Sequence, residues 1–158
     1  MHKVIKLSVN QKTLVIFAWC YALGKDFSNP TGKLNEPAFE NQFSEAAKSI
    51  EKAAFKAIQS VPKANLKKKS QKKMAEAILW LDKIGFVKDG VKRLEVVVAL
   101  MLALCEELLE YVKDIKRRKN IEELVAAIMK MQEIIDPNFE GTEHYKRADN
   151  AYQRFLEI

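Results

Sequence analysis

The sequence predicts an all-α protein, a compact bundle of five or six helices with a long, largely buried central helix. Three observations carry that prediction. Gly and Pro are scarce, at 5 and 4 in 158 residues, whereas an all-β chain needs many more turn residues. Apolar residues recur at helical spacing in several long segments. Hydrophobic residues make up 48% and charged residues 30%, which is the balance of a folded globular chain and not of a disordered one. A chain of this length suits one helical domain over 1–158, with enough buried surface to need no disulfide or metal staple.

The first helix is expected from about Ser8 to Leu23, with Ser8 as N-cap. Its second half, Leu14 to Tyr21, is apolar on every side, as in a helix covered by others; a short strand at Leu14–Phe17 is the competing reading. Gly24 offers a left-handed stop, and Lys25–Leu34, with Asn29-Pro30 and Gly32, reads as a loop. The second helix begins near Asn35 with Pro37 in its first turn. Phe39, Phe43, Ala46, Ala47, Ile50, Ala53, Ala54, Ala57, Ile58 and Val61 form its apolar stripe, and Pro62 ends it. Lys48, Lys52 and Lys56 fall on one solvent ridge. The third helix, about Leu66 to Ile84, presents Met74, Ala77, Ile78, Leu81 and Ile84, with Trp80 at the margin. The fourth is expected to be the longest, from Val91 to Lys119, and the fifth to open at Asn120-Ile121-Glu122-Glu123 with a capping box and stop at Asp136-Pro137. A sixth starts near Thr142 and buries Tyr145, Ala148, Tyr152 and Phe155.

Cys20 and Cys105 sit inside apolar runs at no metal-binding spacing, so they read as buried, reduced thiols. Met1–Leu7 is short and mixed in charge, unlike a secretory leader. The most apolar runs, Leu14–Leu23 and Val96–Cys105, are ten residues each, half of the roughly 20 that span a bilayer. The expectation is a cytoplasmic protein without a membrane segment.

The net charge of +6 favours acidic partners. The sharpest local bias is Lys67, Lys68, Lys69, Lys72 and Lys73, five lysines in seven residues. The N-terminal turn of a helix is electropositive, so lysines there lose stability. Their functional reading is an anion site for phosphates or an acidic protein face; their structural reading is a solvated first turn. A second cluster, Lys113, Lys116, Arg117, Arg118 and Lys119, is placed by the expected boundaries at a helix C-terminus. Cations stabilise that end, which already explains them. Lys67, Lys68, Lys69, Lys72, Lys73, Lys116, Arg117 and Arg118 are the candidate basic face.

Glu106-Glu107-Leu108-Leu109-Glu110 is followed, after 22 intervening residues, by Glu133-Ile134-Ile135-Asp136. Carboxylates at i and i+3 share a helix face, and two such helices can hold Mg²⁺ against a triphosphate. The pair resembles the EExxE and ExxD motifs of the all-α, MazG-like nucleoside triphosphate pyrophosphohydrolases. The resemblance covers Cys105–Asp136 and implies a Mg²⁺-dependent enzyme with Glu107, Glu110, Glu133 and Asp136 as metal ligands. A solvated helix face is the alternative.

No other catalytic set is visible. His2 and His144 are the two histidines, and neither has a marked nucleophile or carboxylate partner. The glycines are isolated, so no phosphate-cradling loop exists. The sequence therefore points first to a non-enzymatic binding or regulatory protein, without cofactor, that engages nucleic acid or an acidic protein surface. A pyrophosphohydrolase using Mg²⁺ and a helical protein-interaction module of inhibitor, chaperone or immunity type remain as alternatives. Self-association into a homo-oligomer is compatible with all three.

Overall fold

Ser8 opens the first helix in the computed structural model, which describes residues 8–28, 40–61, 68–84 and 94–135. The Ser8 hydroxyl accepts the Gln11 amide at 3.2 Å, and the Gln11 side-chain oxygen accepts the Ser8 amide at 2.8 Å. This reciprocal box satisfies two backbone donors at the helix start. The helix, α1 (Val9–Ser28), runs through Leu14–Phe17, where a strand was the competing reading, and on past Gly24, the expected stop. Gly24 instead faces the second helix, α2 (Glu40–Ser60). A Cβ built on it would lie 2.7 Å from the Glu51 amide nitrogen and 3.0 Å from the Ala47 carbonyl oxygen. The missing side chain thus serves close approach of two backbones and not a turn. α1 ends four residues later, where the Ser28 hydroxyl donates to the Lys25 carbonyl at 2.9 Å and the Ser28 carbonyl accepts the Ser44 hydroxyl at 3.2 Å. The Phe27 and Phe43 rings pack beside this junction, with centroids 5.6 Å apart.

The described residues form five helices, completed by α3 (Lys68–Ile84), α4 (Leu94–Tyr111) and α5 (Ile115–Ile135). α1 packs on α2, α2 on α5, α5 on α4, and α4 returns to α1, while α3 lies against α1. Four helices thus close a ring, with α3 as an outrigger. α1 and α2 are antiparallel, since Ser28 meets Ser44 and Tyr21 meets Phe55. Arg117 at the start of α5 reaches Asn10 at the start of α1, so these two begin at the same end of the bundle. One continuous apolar core joins all five helices. The stripe expected on α2 is buried or partly buried from Phe43 to Val61, and Met74, Ala77, Ile78 and Leu81 of α3 face the same core.

α4 is the buried axis: every residue from Val97 to Cys105 is buried. Leu100, Met101 and Leu104 are fully enclosed, each contributing about 1.5–3 kcal/mol relative to an exposed position. Cys105 on α4 and Cys20 on α1 are both free and buried. Donation of the Cys105 S–H to Cys20, followed by burial, pushes the Cys105 thiol well above its ordinary pKa. Cys105 is thereby a neutral, inert packing group.

The boundary between the fourth and fifth helices differs from the sequence expectation. α4 stops at Tyr111, so over the described residues it is shorter than α1, α2 and α5, and α5 begins at Ile115, so Asn120 lies inside a helix and not at its cap. The cap is Asp114. Its carboxylate accepts the amides of Lys116 at 2.9 Å and Arg117 at 3.3 Å, satisfying donors that the first turn cannot pair. At the other side of the corner, the Arg118 guanidinium donates to the Val112 carbonyl at 2.8 Å and also to the Leu109 carbonyl. The end of α4 is thereby closed by a side chain of α5.

The expected opening of the second helix at Asn35–Phe39, residues 91–93 of the fourth, Asp136-Pro137 and the sixth helix lie outside the described residues. Among the described residues, no helix is long and apolar enough to cross a membrane.

Two substitutions test this framework by urea unfolding. Gly24→Val gains little helix propensity and forces its branched side chain against the backbone of α2. It is expected to lower stability by about 1–3 kcal/mol; an unchanged midpoint would show that the two helices part freely. Asp114→Ala is expected to cost about 0.5–2 kcal/mol through loss of the cap, and no loss would mean that the amides of Lys116 and Arg117 find other acceptors.

Candidate functional site

Lys48, Lys52 and Lys56 repeat every four residues on α2, about 6 Å apart along its axis, and all three are exposed. Lys56 turns toward α5 and meets the Glu123 carboxylate at 3.2 Å. With the two side chains 60% and 42% exposed, that pair contributes less than about 1 kcal/mol. Lys48 and Lys52 have no such partner among the described residues. Together with Tyr21, Glu51 and Phe55 they line an open groove of about 330 Å³ between α1 and α2. The Tyr21 and Phe55 rings meet at 5.9 Å with a tilt of 40°. Lys25 Nζ stands 5.6 Å from the centre of the Tyr21 ring, within cation–π range. Phe55 is 50% exposed, so half of a large apolar ring faces solvent beside the lysines. Lys25, Lys48 and Lys52 form no ion pair among the described residues. Glu51 is the acidic member of the groove, and its carboxylate lies 3.5 Å from the Ser28 hydroxyl oxygen.

Local sequence explains why these groups share a surface. Ala46, Ala47, Ile50, Ala54 and Ala57 occupy the buried stripe of α2, which leaves Lys48, Lys52 and Phe55 outside it. The small alanines and Gly24 bring α1 close, so Tyr21, one turn before Gly24, meets Phe55. The sequence expectation of a basic face at Lys67–Lys73 and Lys116–Arg118 misses this site. The available signal was that Phe55 falls off the α2 stripe, next to Lys56 and three residues after Lys52.

The candidate cations of the sequence meet different fates. Lys67 lies outside the described residues, as do the side chains of Lys68 and Lys69, although α3 does begin at Lys68 without an acidic residue in its first turn. Lys72 is exposed and Lys73 is half-buried on the same helix. In the second cluster, the corner at 112–114 moves Lys116, Arg117 and Arg118 from the expected helix C-terminus to the N-terminus of α5. Arg117 Nη1 donates to Asn10 Oδ1 at 3.1 Å, while its Nε is buried without a partner among the described residues. Arg118 caps α4. Both arginines therefore join helices, and Lys116 stays exposed.

The carboxylates do not converge. Arg118 places the start of α5 beside Leu109, between Glu107 and Glu110 at the end of α4. Glu133 lies 15 residues farther along α5 (133 − 118), about 22 Å along a helix axis. Glu107, Glu110 and Glu133 thus cannot share one Mg²⁺ in this arrangement, and Asp136 lies outside the described residues. No group of three or more His, Cys, Asp or Glu side chains suited to a metal occurs among the described residues.

Glu106, beside this pair, has a pKa raised first by burial and then by the charge of Glu107. A carboxyl group with a raised folded-state pKa binds its proton more tightly folded than unfolded, so ionisation destabilises the fold as pH rises through that pKa. Glu106→Gln is expected to raise the urea midpoint at neutral pH, with the gain shrinking as Glu106 becomes protonated in acid. A gain independent of pH would point to a cause other than the charge. No family model matches the chain, and neither do any curated protein or solved structure.

Proposed function

We propose that this protein is a non-enzymatic binding protein that engages a polyanionic partner, nucleic acid or an acidic protein surface, through the face that α1 and α2 present. The observation that carries this reading is the groove itself, where Lys48 and Lys52 form no ion pair among the described residues and flank the half-exposed Phe55, with Lys25 nearby at Tyr21. Surface lysines usually serve solubility, but solubility gives no reason to keep Phe55 open to water among them. Of the large apolar side chains exposed among the described residues, Phe55 is the one that lines this groove beside Lys48 and Lys52. The Lys116–Arg118 cluster lends less support, because its two arginines already hold the helix corner together.

Binding that rests on cations neutralising a polyanion releases counterions and weakens steeply with salt. Fluorescence anisotropy with labelled oligonucleotides, and competition by polyglutamate, measure it directly. Affinity is expected to fall by orders of magnitude between about 50 and 200 mM salt if several contacts are made. The double variant Lys48→Glu, Lys52→Glu should lose most of the affinity and flatten the salt dependence, whereas Lys116→Glu should change little. Absence of binding to every polyanion at low salt would sink the reading.

A further inference from the structure

The chemistry of the groove narrows the partner. We propose that it takes a single strand of nucleic acid, with a base stacked on the Phe55 ring and the adjoining phosphates held by Lys48 and Lys52. This rests on the polyanion reading above and adds the ring to it.

The lysines alone would serve a duplex or an acidic protein equally well. A duplex keeps its base faces stacked inside and offers an outer surface of phosphate, which gives Phe55 nothing flat to cover. An acidic protein face offers carboxylates on flexible stems. A single strand offers anionic backbone and unstacked base faces together, and aromatic rings set in a cationic groove are the general solution for binding it. Phe55 meets that need: its ring is half exposed, lies next to Lys56 in sequence and one turn after Lys52, and is steadied by Tyr21 at 5.9 Å. Tyr21 is the less available of the two rings, being partly buried and within 5.6 Å of Lys25 Nζ. It buttresses the stacking ring, and Lys25 adds positive charge beside Tyr21.

Glu51 fits the same arrangement. Its carboxylate repels phosphate and accepts hydrogen bonds, so its part of the groove suits the amino edge of a base and not the backbone. The strand then runs along the outer side of α2, where lysines recur every turn, and turns one base inward.

The test compares a mixed-sequence single strand, as DNA and as RNA, with the matching duplex in the same anisotropy assay, using the full chain. Variants are Phe55→Ala, Phe55→Trp and the Lys48→Glu, Lys52→Glu pair, each checked by circular dichroism for an unchanged helical melt. The expected result is tighter binding of the single strand than of the duplex. Phe55→Ala should weaken the single strand on the order of tenfold or more, the usual effect of removing a stacked ring, and weaken the duplex far less. Phe55→Trp should restore the single strand. Should Phe55→Ala leave single-strand affinity intact while the lysine pair abolishes it, the stacking inference is wrong and the polyanion reading survives. Equal or tighter binding of the duplex, or displacement by polyglutamate alone, would likewise overturn the single-strand assignment. Absence of binding to all probes removes both.

Discussion

The approach of α1 to α2 at Gly24 is the contact on which the rest of the molecule's surface chemistry depends. A helix interior normally disfavours glycine by about 1 kcal/mol relative to alanine. Here that cost is offset by letting a backbone amide and a carbonyl of α2 lie where a side chain would stand. Alanines at 46, 47, 54 and 57 continue the thin seam along the buried side of α2. With so little volume between the two axes, bulky residues are accommodated at the margins. Tyr21 and Phe55 occupy one margin, and their meeting there makes an open aromatic groove.

Residues of one chemical type play three roles in this chain, and only their surroundings separate them. Lys56 is a weak tie between α2 and α5. Arg117 and Arg118 act as struts, one reaching the start of α1 and the other the carbonyls that end α4. Lys48 and Lys52 are left facing an open groove. Counting cations along the sequence weights all of them alike. A guanidinium fork suits carbonyl and amide oxygens in a partly buried corner, whereas a compact, strongly hydrated ammonium stays in water. The division between arginine struts and lysine ridge follows that difference.

Much of the fold was legible in the sequence because it is written in periodicity. The α2 stripe from Phe43, the α3 face and the apolar character of Leu14–Tyr21 and Val97–Cys105 translate into full or partial burial. The punctuation was harder to read. Gly24 carries the usual mark of a helix stop, but what it does depends on a neighbour 23 to 27 residues away (47 − 24 and 51 − 24). Asp114 was submerged in a basic run that looked like the end of one long helix, and Asn120 offered a more familiar capping pattern a turn and a half later. The candidate site was the least legible part. Lys48 and Lys52 were visible as a ridge, yet the value of Phe55 rests on Tyr21, which reaches it only through the α1–α2 packing. The carboxylate spacing that resembles a pyrophosphohydrolase motif fails for a related reason, since spacing along the chain gives no account of which ends of two helices lie together.

The corner at 112–114 has one more consequence. The carbonyls that end α4 are held by Arg118, a residue of α5's opening turn, and that turn is itself held by Asp114. Fraying of one helix end therefore removes the terminator of the other. Helix ends are ordinarily the first parts of a protein to open, at little free-energy cost. Here two ends share one set of contacts beside the buried Val112, so the backbone amides of the corner should exchange with solvent as a single cooperative unit, at rates closer to those of the core than to those of an ordinary surface turn.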